Sequence, residues 1–323
     1  MMQPSVQKPV AGFFLSLVAA MLWGVLPIAL KELLLGMDAT TIVWYRFLVA
    51  GAVLFIWLLL KRRLPALQQT TGRIRLLLLV AALGLCANYF LFSFSLNFVN
   101  AETSEAVIQL TTLFLILGGV FVYHEPFLGI QKLGTGFIVL GLILFFNERL
   151  QSFGDFNNRE TVGVIIVVFA AITWVLYALL QKQMLRHFSS VQILLSIYAV
   201  SVVVLLPFID PIILLQLNGW HLALLAFCCL NTLVAYGSFA EAMNLWDASK
   251  VSATLALAPL FTIGSLKLIV FLNPAYAFSD RLSALSLAGA GLLVLGSVLT
   301  ALVPVLQQRF RARGDGQPVV AEE

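Results

Sequence analysis

Charge is scarce in this sequence: Asp, Glu, Lys and Arg make up 11% of its 323 residues, against about 25% in a soluble globular domain. A chain with so little charge, 61% hydrophobic residues and a mean hydropathy of +1.00 reads as a multi-pass membrane protein rather than a water-soluble fold. Cysteine is also rare. Cys86, Cys228 and Cys229 lie inside apolar runs with no C-x-x-C spacing, which excludes a disulfide framework and a thiolate metal site. His124, His187 and His221 are scattered at loop edges with no H-E-x-x-H pattern beside them, so neither a metal nor any other cofactor is expected. No nucleophile with a base can be assembled at helical spacing, which argues against an intramembrane enzyme. The net charge of +4 does not point to nucleic acid, because the basic residues fall at the ends of apolar runs, where they set topology.

What the chain does have is repetition. GTGFIVLG at 134–141 returns as GAGLLVLG at 289–296, both reading G-x-G-x-x-V-L-G. The spacing is not G-x-G-x-x-G, and no acidic residue follows about 20 residues on, so a dinucleotide site is excluded. Glycines at this spacing on an apolar helix instead let a second helix backbone come close. Apolar runs bounded by charge, Pro or Gly give ten spans. They fall at 12–30, 40–60, 75–96, 102–122 and 128–146, then at 161–181, 190–208, 220–243, 250–272 and 283–303. The first run continues to Lys31 and Glu32, too long for a secretory signal, so it is expected to be a retained span. Residues 147–160 form the one long polar break, and residues 304–323 read as a charged tail expected to be disordered.

With the N-terminus (1–11) inside, inner segments hold 13 of the 19 Lys and Arg residues, and outer segments only Lys31, Arg149, Arg159 and Arg281. Both termini are therefore expected in the cytoplasm and the 147–160 linker outside, in a cell inner membrane. Five spans per half is an odd number, so the second repeat (161–303) enters from the opposite side to the first (12–146). The fold class is thus all-α, ten transmembrane helices in two inverted five-helix repeats. Matched residues support the register: Ala19-Ala20-x-x-Trp23 with Ala170-Ala171-x-x-Trp174, and Asn97-x-x-x-Ala101 with Asn244-x-x-x-Ala248. In inverted repeats the substrate site lies near the midplane where the halves meet.

Those duplicated A-A-x-x-W starts, Arg46 in the second span, Ala248-Ser249 and Ala253 before Ala258-Pro259, and the glycine-rich closing helices together resemble the drug/metabolite transporter superfamily, in particular its EamA-like ten-helix members. The resemblance covers about 12–302. It implies a carrier of small metabolites, commonly an exporter of amino acids or related compounds, with a central cavity lined by both halves. Thr111-Thr112 stand where the second half has Ala258-Pro259, so the fourth span is expected to lack the kink that proline gives the ninth. Expected partners are a small-molecule substrate, the lipid bilayer and a second copy in a homodimer, with no nucleic acid. The alternatives are a multidrug or nucleotide-sugar carrier, or a membrane assembly protein that transports nothing.

Polar side chains inside spans are the candidate site, because an unpaired polar group in hydrocarbon is costly. Trp23 and Trp174 occupy matched positions inside their runs, where they line a cavity or simply pack. Tyr177 shares the face of Trp174. Asn88, Tyr89, Asn231 and Tyr236 offer donors and acceptors without net charge, suited to a small polar or zwitterionic solute, or else hydrogen-bond neighbouring helices. Glu105, Gln109 and Thr112 share one face of the fourth span. Glu105 is read as an ammonium contact or coupling-proton carrier, with hydration at the helix end as the alternative. Arg46, about 9 Å inside its helix, is expected to snorkel outward, with a substrate carboxylate as the competing reading.

Overall fold

In the computed structural model, residues 8–66, 70–124, 126–246 and 248–314 are described. Twelve helices account for ten spans: α1 (Pro9–Leu33), α2 (Ala39–Leu60), α3 (Gly72–Ser95), α4 (Ala101–Ile108), α5 (Leu110–Tyr123), α6 (Gly129–Phe145), α7 (Arg159–Met184), α8 (Ser190–Leu205), α9 (Gly219–Leu245), α10 (Ala248–Leu255), α11 (Ala258–Leu272) and α12 (Ala284–Gly314). Nine of the spans among the described residues are long and apolar enough to cross a bilayer, and α6, with 17 residues, is the shorter tenth. The chain is an all-helical integral membrane protein. Starts follow local chemistry. Asp38 accepts from Thr41 N at 3.0 Å, Asn158 from Glu160 N at 2.8 Å and Asn218 from His221 N at 2.9 Å, each satisfying an orphan donor of the first turn. The disorder expected of the tail falls, from 315 on, outside the described residues; α12 runs to Gly314.

The two halves pack by exchange. α1 of the first half lies against α9 of the second, α3 lies against α7, and α2 faces α8. The closing helices α6 and α12 cross antiparallel on their repeated glycines. A Cβ built on Gly296 would stand 2.5 Å from the Gly134 carbonyl oxygen, and one on Gly141 would stand 2.8 Å from that of Gly289. The middle glycines, Gly136 and Gly291, have nothing within 4 Å. The outer glycines of each motif thus set the approach of the two backbones, as the spacing predicts. Large apolar side chains such as Leu60 and Phe271 are exposed on the outside of the bundle, where a membrane supplies hydrocarbon.

The fourth span is not continuous, contrary to expectation. α4 ends at Ile108, and the amide of Thr112 bonds to the Gln109 carbonyl at 3.0 Å, three residues back instead of four. The ninth span breaks at the matched place: α10 ends at Leu255 and α11 restarts at Ala258, ahead of Pro259. Proline has no N–H to return to Leu255, so the second break is written in its chemistry. The first is made by a short-range bond without proline.

One end of the bundle is tied by polar contacts between the halves. Arg149 of the linker pairs with Glu160 and lies 3.6 Å from Asp280. Asp280 also accepts from Asn100 Nδ2 at 3.0 Å and Thr103 Oγ1 at 2.7 Å, and Glu102 accepts from Ser279 Oγ at 2.7 Å. Burial disfavours the Arg149 charge, yet the Asp280 and Glu160 carboxylates outweigh it and hold the guanidinium pKa above its ordinary value.

Candidate functional site

Matched residues of an inverted repeat touch only near the axis that relates the halves. Tyr89 on α3 and Tyr236 on α9 are such a pair, and their rings stack at 6.4 Å with planes 25° apart. Other rings gather around them. Trp23 meets Tyr236 edge-on at 5.2 Å and Phe239 at 5.8 Å. Phe47 packs on Tyr89 at 4.7 Å and on Tyr198 at 5.4 Å. Trp174 and Tyr177 sit 6.5 Å apart on α7 and pack in the same cluster as Tyr89 and Tyr236. All five aromatic candidates therefore form one wall where α1, α3, α7 and α9 converge.

Arg46 belongs to this group. It does not snorkel outward: the side chain is 3% exposed, its Nε donates to Thr232 Oγ1 at 3.1 Å, and its Cζ lies 4.6 Å from the centre of the Tyr89 ring. Thr232 is free to accept because its own hydroxyl proton goes to the Cys228 carbonyl at 3.0 Å. Depth along a helix can be read from sequence, but the direction in which a side chain leaves it cannot when α2 is apolar on nearly every face. Lys267 and Glu241, by contrast, are exposed.

The two asparagines are anchored to other helices. Asn88 Nδ2 donates to the Ala170 carbonyl at 2.9 Å and Asn231 Nδ2 to the Leu22 carbonyl at 2.6 Å. The Asn231 Oδ1 atom is buried with no partner among the described residues, an acceptor still unsatisfied. Glu105 and Gln109 form a second group on the interrupted span. Gln109 Oε1 accepts from Ser297 Oγ on α12 at 3.3 Å. Glu105 is 6% exposed rather than hydrated at a helix end, and its carboxyl group makes no hydrogen bond or ion pair with any described residue. Thr112 is half-buried at the break itself. No ring contact or hydrogen bond joins this group to the aromatic wall among the described residues.

Sequence reasoning passed over Thr232, Tyr198 and Phe47. Tyr198 carries a phenol inside a span, the same signal that singled out Tyr89. Phe47 is indistinguishable in sequence from the phenylalanines that face lipid. Two clefts, of 530 and 420 Å³, open toward opposite ends of α3, one beside Asp38 and Phe94 and the other beside Arg73 and Tyr123. Neither is lined by a candidate residue.

Comparison with known proteins agrees with this architecture. The profile of the EamA-like transporter family matches residues 10–147 and 161–302. An "Uncharacterized transporter" of Haemophilus influenzae is 41% identical over 92% of this chain and 96% of its own length. The "Uncharacterized inner membrane transporter YhbE" of Escherichia coli is 39% identical over 92% of both chains. More distant is a "Probable amino-acid metabolite efflux pump" of Escherichia coli, 20% identical over 87% of this chain and 92% of its own. A crystal structure of a protein 17% identical in sequence shares the fold, with a TM-score of 0.62 over 92% of this chain and 99% of that one. Ten apolar spans, two copies of one family unit and relatives named as transporters lead to one conclusion: this chain belongs to the EamA-like transporter family.

Proposed function

We propose that this transporter is a secondary carrier exporting amino acids or related small metabolites across the inner membrane, its halves rocking about the site where they meet. The observation that carries the reading is the contact of Tyr89 with Tyr236. Matched residues stack only near the repeat axis, and repeat interfaces are where such carriers hold their substrates. The matched breaks after Ile108 and Leu255 support it, since interrupted helices free backbone groups for a solute. In this reading both termini are cytoplasmic, the end tied by Arg149 and Asp280 is outer, and Glu105 carries a coupling proton. Export and amino acids come from the name of the distant Escherichia coli relative and from the family.

The test is counterflow of labelled amino acids, nucleobases and cationic drugs into liposomes carrying the full-length protein. Accumulation of amino acids is expected. Accumulation of cationic drugs alone would favour the multidrug alternative, and no accumulation by folded protein would favour an assembly role.

A further inference from the structure

We infer that Arg46 is the anion-binding group of this carrier, and that the transported solute bears a carboxylate. The inference rests on the carrier reading above and names the substrate chemistry of the same site.

A guanidinium carries five N–H donors in a planar fork. In Arg46 the Nε donor is used by Thr232 at 3.1 Å, and one face is covered by the Tyr89 ring at 4.6 Å. Among the described residues, the terminal nitrogens make no hydrogen bond and no carboxylate stands within ion-pair distance of them. A charge 3% exposed inside a membrane bundle is costly to keep unless something pairs with it. The fold does not require it: near the corresponding place in the second repeat stands Ser196, whose hydroxyl returns to the Gln192 carbonyl at 2.9 Å. What is left without a partner among the described residues is the end of the fork, the edge that receives both oxygens of a carboxylate side by side.

The number of charges selects the anion. Lys31 is committed to the carbonyls of Leu96 and Val99, and Lys267 is exposed. A phosphate dianion would need a second cation, whereas a monocarboxylate is matched by one. Phe47 and Tyr236 beside Tyr89, with Trp23 against Tyr236, suit the apolar remainder of such a solute.

Full-length protein in liposomes, given labelled amino acids and in parallel their decarboxylated amines and their carboxamides, tests this directly. Wild type is expected to favour the acid by on the order of 100-fold in kcat/KM, because an analogue without the carboxylate leaves the buried guanidinium unpaired. Arg46→Gln should erase that preference. Arg46→Lys, which keeps the charge but not the fork, should retain it with KM raised about tenfold. Loss of packing alone would lower all three substrates together and leave the preference intact. Equal transport of acid, amine and amide by wild type, or an unchanged preference in Arg46→Gln, would overturn the inference and leave the carrier standing. Exchange of none of the probes would overturn both.

Discussion

Glu105 is a carboxyl group 6% exposed, on a helix that stops three residues later, with no protein partner among the described residues. Its matched position in the second repeat is Ser252, so the architecture does not call for an acid there. Side chains of this kind inside membranes are kept where they handle a ligand or a proton. Glu105→Gln keeps the shape and removes the ionisable group. Accumulation driven by an imposed pH gradient is expected to fall to the level of counterflow at equal pH, while counterflow itself persists. Stability should change by no more than ~1 kcal/mol, since no hydrogen bond is lost. A gradient dependence that survives the substitution would remove Glu105 from the coupling step. The identities of such residues were legible in the sequence because polar groups stand out in apolar runs. Their directions were not. Arg46 and Lys267 look alike as single charges within spans, yet one is buried against Tyr89 and the other is exposed, a difference set by neighbours distant in the chain.

Among the elements, the closing helices were the most legible. Repeated glycines predicted close approach, and the backbones of α6 and α12 meet at those glycines. The same contact separates two kinds of glycine that the motif alone treats as equal. Gly141→Leu drives a side chain into the Gly289 carbonyl and Leu293, and should cost more than ~3 kcal/mol or prevent folding, because backbone cannot move aside as a side chain can. Gly136→Ala, with open space around it, should leave thermal stability unchanged or slightly raised. The unfolding midpoints of the two variants check this. The break in the fourth span was hidden, for a physical reason. The ninth is broken where proline removes a donor, which sequence displays, whereas the fourth is broken by the choice of Thr112 N–H to bond three residues back. α4 packs against α1, α7 and α11, all distant in the chain.

At the scale of the whole molecule, the inverted repeat explains why contacts come in related pairs, α1 with α9 and α3 with α7. It was legible because duplication leaves stretches of matched residues at nearly the same offset, as in the paired A-A-x-x-W starts and the paired glycine motifs. The polar tie at one end was not, since Asp280 is far in sequence from Arg149 and Glu160 and each reads singly as a loop charge. The tie joins the linker and α4 to the loop before α12, so a carrier that opens at this end must break it. Asp280→Asn weakens the pairing with Arg149 and Thr103, and should shift the population toward the state open at this end. Faster labelling by an impermeant maleimide of a cysteine placed at Ala101, which is buried at this end and takes no part in the tie, would report the shift, in a background where Cys86, Cys228 and Cys229 are replaced.

On this reading the two halves move relative to each other about the aromatic centre. Its most direct test is the distance between spin labels at Asn97 and Ala277, exposed positions at the tied end, one in each half, measured by pulsed electron resonance in liposomes. Two distance populations are predicted, with their ratio changed by a transported amino acid and by Asp280→Asn. A single distance, unaltered by either in protein that exchanges substrate, would contradict the account.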